Sequence, residues 1–175
     1  EQTKLSAGMD AAMSHSKILF GGPPGAGKTT AISAASDIAL LDNAAVDHGT
    51  ITLDDGNTLH LYGTPGQARF DFMWEQLTEG AIALILLIDN SQPDALGQLH
   101  FHLGAFSHFI RSSAVAVGIT HCDLGGGLRL GDYQAELQLA GFGCVPVFAV
   151  DPRSKRDVCL LIEAALSVLD PVPQA

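Results

Sequence analysis

Apolar and polar positions along this chain follow two alternating periods. A short apolar run, Ile18-Leu19-Phe20, enters a glycine-rich turn and predicts a first strand over 17–20. Residues 28–39 are rich in Ala and free of Gly and Pro, which predicts a helix. Residues 51–53 and 58–61 are two β-type runs around Asp54-Asp55-Gly56-Asn57, residues that tolerate positive φ, so they predict a hairpin. Continuous apolarity over 81–88 predicts a strand buried on both faces. Leu96, Leu99, Leu103, Phe106 and Ile110 recur at helical spacing and predict one amphipathic helix. Residues 114–119 read as a strand, and Asp132 reads as the cap of a helix that ends at Gly141. The last strand is predicted over 145–150. The last helix opens on Ser154 with Asp157 three residues on, buries Val158, Leu161, Ile162, Ala165 and Leu169, and stops before Pro171.

The order β-α-β-β-α-β-α-β-α-β-α has one hairpin near its start, and helical crossovers make the other connections. It predicts an α/β domain over 17–170 with a six-stranded, mostly parallel sheet and a single antiparallel edge strand. Ligands are expected at the carboxyl ends of the strands. Residues 1–16 are expected to form a polar arm outside the fold, and 171–175 a tail.

Composition narrows the function. Of 175 residues, 47% are hydrophobic and 16% charged, enough apolar material for a substantial core. The net charge of −10 argues against nucleic acid as a main partner, because phosphate backbones need clustered Lys and Arg. Arg153, Lys155 and Arg156 read as a solvated helix start rather than a basic patch. Three cysteines without metal spacing suit a reducing, cytoplasmic setting. The longest apolar run is far below the ~20 residues of a membrane-spanning helix.

The strongest local chemistry is Gly22-Pro23-Pro24-Gly25-Ala26-Gly27-Lys28-Thr29, which matches G-x-x-x-x-G-K-[ST] between a predicted strand and a predicted helix. Consecutive backbone N–H groups there form an anion-binding concavity, and the helix start adds partial positive charge. Pro23 and Pro24 carry no N–H, so the donors run from Gly25 to Thr30. Lys28 is expected to reach the outer phosphates, and the Thr29 hydroxyl to ligate Mg²⁺.

Gly63-Thr64-Pro65-Gly66-Gln67 resembles the D-x-x-G-Q segment of Ras-like small GTPases, and Thr120-His121-Cys122-Asp123 resembles their [NT]-K-x-D segment. Residues 61–70, continuing to Met73-Trp74, look like a bacterial branch that includes the polarity switch MglA and the conservon-type GTP-binding proteins. The resemblance implies a P-loop NTPase three-layer sandwich that binds GTP or GDP with Mg²⁺ and hydrolyses GTP as a molecular switch, slowly in view of this chain's departures from the family pattern. It implies that Gly66 senses the γ-phosphate and that Gln67 orients the attacking water. Thr120, His121, Asp123, Ala149 and Val150 would contact the base. It also implies a roadblock-type, MglB-like regulatory partner and a downstream effector, with any membrane recruitment through a partner. Gln67 also reads as a surface glutamine at a helix start, and Arg69 as a solvated arginine.

Departures from the family pattern are specific. Gly63 stands where the D-x-x-G Asp is usual, a replacement common in that branch. No Thr lies between Thr30 and Thr50 to serve the first switch; Asp42, Asn43 or Asp47 are the candidate substitutes. His121 occupies the place of the usual Lys, and its imidazole can stack on a purine without a lasting charge. Asp89 ends an apolar strand as a Walker B Asp does, but reads better as a cap of local backbone. His100, His102 and His108 are too dispersed on a helix to share one ion. The rival readings are a nucleotide-bound scaffold that does not hydrolyse, and a small P-loop ATPase or kinase.

Overall fold

The structure, a computed structural model, describes residues 15–41, 46–65 and 71–169. Its elements in chain order are β1 His15–Gly21, α1 Lys28–Ala35, β2 Asp47–Thr52, β3 Thr58–Gly63, α2 Asp71–Thr78 and β4 Ala81–Asp89. They continue with α3 Ala95–Ala105, α4 Ser107–Ile110, β5 Ala114–Thr120, α5 Leu130–Leu139, β6 Val147–Ala149 and α6 Lys155–Leu166. The six strands form one sheet in the order β2-β3-β1-β4-β5-β6. Only β2 and β3 pair antiparallel; every other neighbouring pair is parallel. The predicted mixed sheet with one antiparallel edge strand is therefore observed.

Strand side chains alternate between two cores, as a period of two requires. On β4, Ala83, Ile85 and Leu87 join one cluster with Ile32 of α1 and Leu161 of α6. Leu84, Leu86 and Ile88 join the other, with Leu99 of α3, Phe106 and Tyr133 of α5. Helices thus cover both faces of the sheet. Gly118 of β5 lets α6 come close, since a Cβ there would stand 2.8 Å from Leu161 Cδ2 and 2.8 Å from Leu87 Cδ2. Trp74 of α2 stacks on Phe106 with ring centroids 5.2 Å apart, and its Nε1 donates to Pro65 O at 2.9 Å.

Several boundaries differ from the sequence expectations. The first helix stops at Ala35, not near residue 39. Asp37 N donates to Thr50 O at 2.7 Å and Ser36 Oγ accepts from Thr50 N at 3.0 Å, so pairing with β2 pulls the chain out of the helix. These bonds also cover part of the outer edge of β2, which limits its exposure as an unpaired strand. The predicted helix over 96–110 is two helices that meet at Phe106 (φ −99°, ψ 12°), although the apolar stripe stays in phase across the break. Asp132 is not the cap of α5. It sits in the first turn and accepts from Arg129 N at 2.8 Å. The last strand shrinks to Val147–Ala149, because Pro146 has no N–H and Val145 N turns back to Phe142 O at 3.0 Å. Leu169 lies beyond the end of α6 and is exposed rather than part of its buried stripe.

Of the three histidines weighed as ligands, His100 Nε2 lies 2.9 Å from Glu136 Oε2. His102 is buried beside Trp74, with Nδ1 2.9 Å from Gln98 O. Its burial lowers its pKa and keeps the ring neutral. Among the described residues, no helix is long and apolar enough to cross a membrane.

Candidate functional site

β1 lies in the middle of the sheet between β3 and β4, where the order of strands along the chain reverses. The carboxyl end at such a switch point opens a crevice. The loop 22–27 leaves β1 there and enters α1. Two of its glycines are required by their surroundings. Gly22 has φ +139°, and a Cβ there would run into the backbone carbonyl of Leu87. Gly27, the residue before α1, has φ +101°, and a Cβ there would stand 2.9 Å from Pro152 Cγ. The loop is thus pressed between β4 on one side and the β6–α6 connection on the other.

No side chain caps the start of α1, since its N-cap residue is Gly27. The first helical bond is Ala31 N to Gly27 O at 2.8 Å. Amides ahead of it have no acceptor within the helix and carry the partial positive charge of the helix start. Lys28 is buried, and its ammonium donates to Gly22 O and Pro23 O, both at 2.8 Å. Burial pushes its pKa down to about 8, against the opposing pull of the Asp47 charge, so it remains mostly protonated at neutral pH. Thr29 and Thr30 are exposed. Thr29 Oγ1 donates to Asp47 Oδ2 at 2.5 Å, across from α1 to the first residue of β2.

Gly25, Gly27, Lys28, Thr29 and Thr30 line a cleft of about 740 Å³, built at the carboxyl ends of β1, β5 and β6. From β5 come His121, Cys122, Asp123 and Leu124; from the β6–α6 connection come residues 149–153, with Asp157 beyond. Thr120 ties two of these segments together. It is fully buried, and its hydroxyl lies 2.9 Å from Ala26 O, which fixes the glycine-rich loop to the end of β5. His121 adopts the left-handed conformation (φ 56°), and its Nδ1 lies 2.9 Å from Asp89 Oδ1. Burial alone would raise the Asp89 carboxyl. Hydrogen bonds from Ser91 and Gln92, with the nearby His121, outweigh burial and hold it below the ordinary value. Asp89 thus does cap local backbone, while also orienting the His121 ring.

The opposite wall is ionic. Arg153 Nε and Nη2 donate to the two oxygens of Asp151, both at 2.9 Å, and hold that carboxyl down at about 2. Asp157, bound through its own N–H to the Ser154 cap, accepts from Asp151 N at 3.0 Å and fixes this connection.

Of the residues singled out by sequence, Gly25, Gly27, Lys28, Thr29, Thr30, His121, Asp123, Ala149 and Val150 meet around this one cleft. Gly22, Pro23, Ala26 and Thr120 are buried behind it, and Pro24 is exposed outside its lining. Gly66, Gln67 and Arg69 lie outside the described residues, as do Asp42 and Asn43. Sequence reasoning did not assign Asp151, Pro152, Cys122 or Leu124 to the site, and it read Arg153 as a solvated helix start. The Ser154–Asp157 cap was the available signal. It fixes where α6 begins and so requires the preceding residues to cross the carboxyl end of the sheet.

The fold and cleft define an α/β protein with an uncapped helix start at a topological switch point. No protein-family model matches the chain. It is 33% identical over 81 residues to Uncharacterized protein MJ1339 of Methanocaldococcus jannaschii, a match covering 43% of this chain and 52% of that protein. The chain therefore spans about half the length of that curated relative.

Proposed function

We propose that this chain is a small P-loop GTP-binding protein of Ras-like type: a three-layer α/β domain that holds GTP or GDP with Mg²⁺ and acts as a switch for a protein partner. One observation carries the reading. The uncapped start of α1, with Lys28 in its first turn, lines the same cleft as Asp123 and His121. Phosphates need the first end, and a polar base edge suits the second. The cleft volume lies within the range of roughly 300–1,000 Å³ usual for such ligands.

Within this reading, the amides from Gly25 to Thr30 and the Lys28 ammonium hold the phosphates, which repay the electrostatic cost of burying that ammonium. The Thr29 hydroxyl is a hard oxygen donor suited to Mg²⁺. When bound, the ion would neutralise charge on the phosphate oxygens. Asp123 accepts hydrogen bonds from the guanine edge. The His121 ring, oriented by Asp89, lies along the purine, and backbone at Ala149 and Val150 closes the far side. Gly66 and Gln67 follow the carboxyl end of β3, where the first would sense the γ-phosphate and the second would orient water. Slow hydrolysis is expected, because no Thr lies between Thr30 and Thr50 to serve the first switch and position 63 lacks the usual Asp. Loss of the γ-phosphate would alter the segments after β3 and so the affinity for a regulatory, MglB-like partner and an effector.

The test is the mass of nucleotide released when the purified protein is denatured, followed by competition. GDP or GTP is expected, with Lys28→Ala preparations carrying none. ATP displacing guanine nucleotide at equal concentration would reject the assignment of Asp123 to the base.

A nucleotide-bound scaffold without hydrolysis is the second reading. It is favoured by Thr50, which lies in mid-β2 opposite His60 and is bonded to Ser36 and Asp37 at the end of α1, away from the helix start where Thr29 lies. Single-turnover assay separates the two, since a scaffold would release phosphate no faster than free GTP does, even with its partner present.

A further inference from the structure

The antiparallel pairing of β2 with β3 sets Asp47 directly opposite Gly63. A Cβ on Gly63 would stand 3.2 Å from both Asp47 Cβ and Asp47 Oδ2. The Asp47 carboxylate therefore borders the space that a side chain at position 63 would need. Gly63 is not among the glycines with positive φ, so its backbone does not demand glycine. From this position Asp47 reaches the Thr29 hydroxyl at 2.5 Å, and its charge acts on the neighbouring Lys28 ammonium.

That placement is electrostatically awkward for a phosphate site. A carboxylate beside the start of α1 repels any phosphate bound there, and the separation is too short for salt to screen. A divalent cation reverses the sign. Mg²⁺ is held by one or two carboxylates together with substrate phosphates, and the hydroxyl–carboxylate pair of Asp47 and the cleft-lining Thr29 offers two hard oxygens beside the start of α1. We infer that Asp47 supplies the carboxylate of the magnesium site, delivered from β2 in place of one at position 63 on β3, and so makes nucleotide affinity depend on the metal. This inference rests on the nucleotide-binding reading above.

The experiment is calorimetric titration of the full chain with GDP, once in magnesium chloride and once in EDTA, for the wild type and for Asp47→Asn. Asparagine keeps the shape and can still accept from Thr29, but loses the charge. The wild type is expected to bind GDP more tightly with magnesium than in EDTA. In Asp47→Asn that gain is expected to shrink by about 10–100-fold, the usual cost of losing a metal-supporting carboxylate. In EDTA the variant should bind GDP as tightly as the wild type or more tightly, because the repulsion is gone; this arm also reports that the variant is folded. An equal magnesium gain in both proteins overturns the inference and leaves the nucleotide reading standing. Equal wild-type affinity in the two buffers does the same. Loss of affinity in both buffers for the variant makes Asp47 a structural anchor of Thr29, again against the inference. No GDP binding by the wild type in either buffer overturns the nucleotide reading and this inference with it.

Discussion

Lys28 combines burial, charge and two carbonyl partners in one side chain. Its pKa in the ligand-free protein is about 8, lowered by desolvation from 10.5. A bound phosphate favours the charged form, so the pKa in the complex is higher than in the free protein. The sign follows by linkage. Below pH 8 the ammonium is already present, and affinity does not change with this group. Above pH 8 binding must take up a proton, and affinity falls by up to ~10-fold per pH unit until the pKa of the complex is reached. GDP titrations across pH 7 to 10 in two buffers of different ionisation enthalpy check this, because proton uptake makes the observed heat buffer-dependent above pH 8 but not below. A flat affinity across that range would mean that Lys28 does not face the phosphates. The same local chemistry explains why this part of the site was legible in the sequence. The glycines, the lysine and the helix start are contiguous, so their spacing alone carries the geometry. Asp47 was only one of three candidates for a missing oxygen ligand, because its approach to Thr29 depends on the β2–β3 register, which no local pattern prints.

The close approach of α6 to the sheet depends on Gly118, whose missing side chain leaves room for Leu161, Leu87 and Val150. Gly118→Ala adds a methyl into a filled space. Overpacking costs about 1–3 kcal/mol, offset in part by the ~0.5–1 kcal/mol that Ala gains over Gly within an element. Leu161→Ala alone leaves a cavity and costs about 2–5 kcal/mol. The two changes occupy one space, so the double variant is expected to be more stable than the sum of the singles predicts, with a coupling of about 1 kcal/mol or more. Urea unfolding of the four proteins measures it, and simple additivity would mean that the helix shifts away from β5. A second element-level prediction concerns Trp74, which joins α2 to α3 by stacking and to the chain after β3 through Pro65 O. Trp74→Phe keeps most of the apolar area but loses the N–H donor, so it is expected to cost about 1–3 kcal/mol in the same assay. Elements defined by continuous apolarity, such as β4 and β5, were readable because burial on both faces leaves a local trace. The end of α1 was not, since a hydrogen bond to distant Thr50 decides it. Nor was the break at Phe106, where the stripe of Leu99, Leu103 and Ile110 continues unbroken into the core.

At the scale of the molecule, the first strand and the last two deliver their carboxyl ends to one cleft, and each contributes a different kind of group. The loop after β1 brings positive charge, the turn after β5 brings Asp123, and the connection after β6 brings the Asp151–Arg153 pair. A ligand that spans the cleft therefore ties together segments from the centre and from one side of the sheet. Such a ligand binds the folded chain and not the unfolded one, so it must raise the stability of the whole domain by mass action. With GDP and magnesium at about 100 times the dissociation constant, the gain is about 2.7 kcal/mol. For a domain of this size that corresponds to a rise in Tm of about 5–10 °C. Lys28→Ala should lose most of the rise, because it removes the charged end of the grip. ATP at the same concentration should give a smaller rise than GDP, because adenine does not present the pair of N–H donors that Asp123 would accept. The overall charge of −10 sharpens the result, since a chain of this sign has no general attraction for a polyanion. Thermal unfolding with GDP, ATP and inorganic triphosphate at matched concentrations distinguishes the cases. Equal shifts from all three would reduce the cleft to a phosphate site without base selection, and no shift from any would remove the nucleotide altogether.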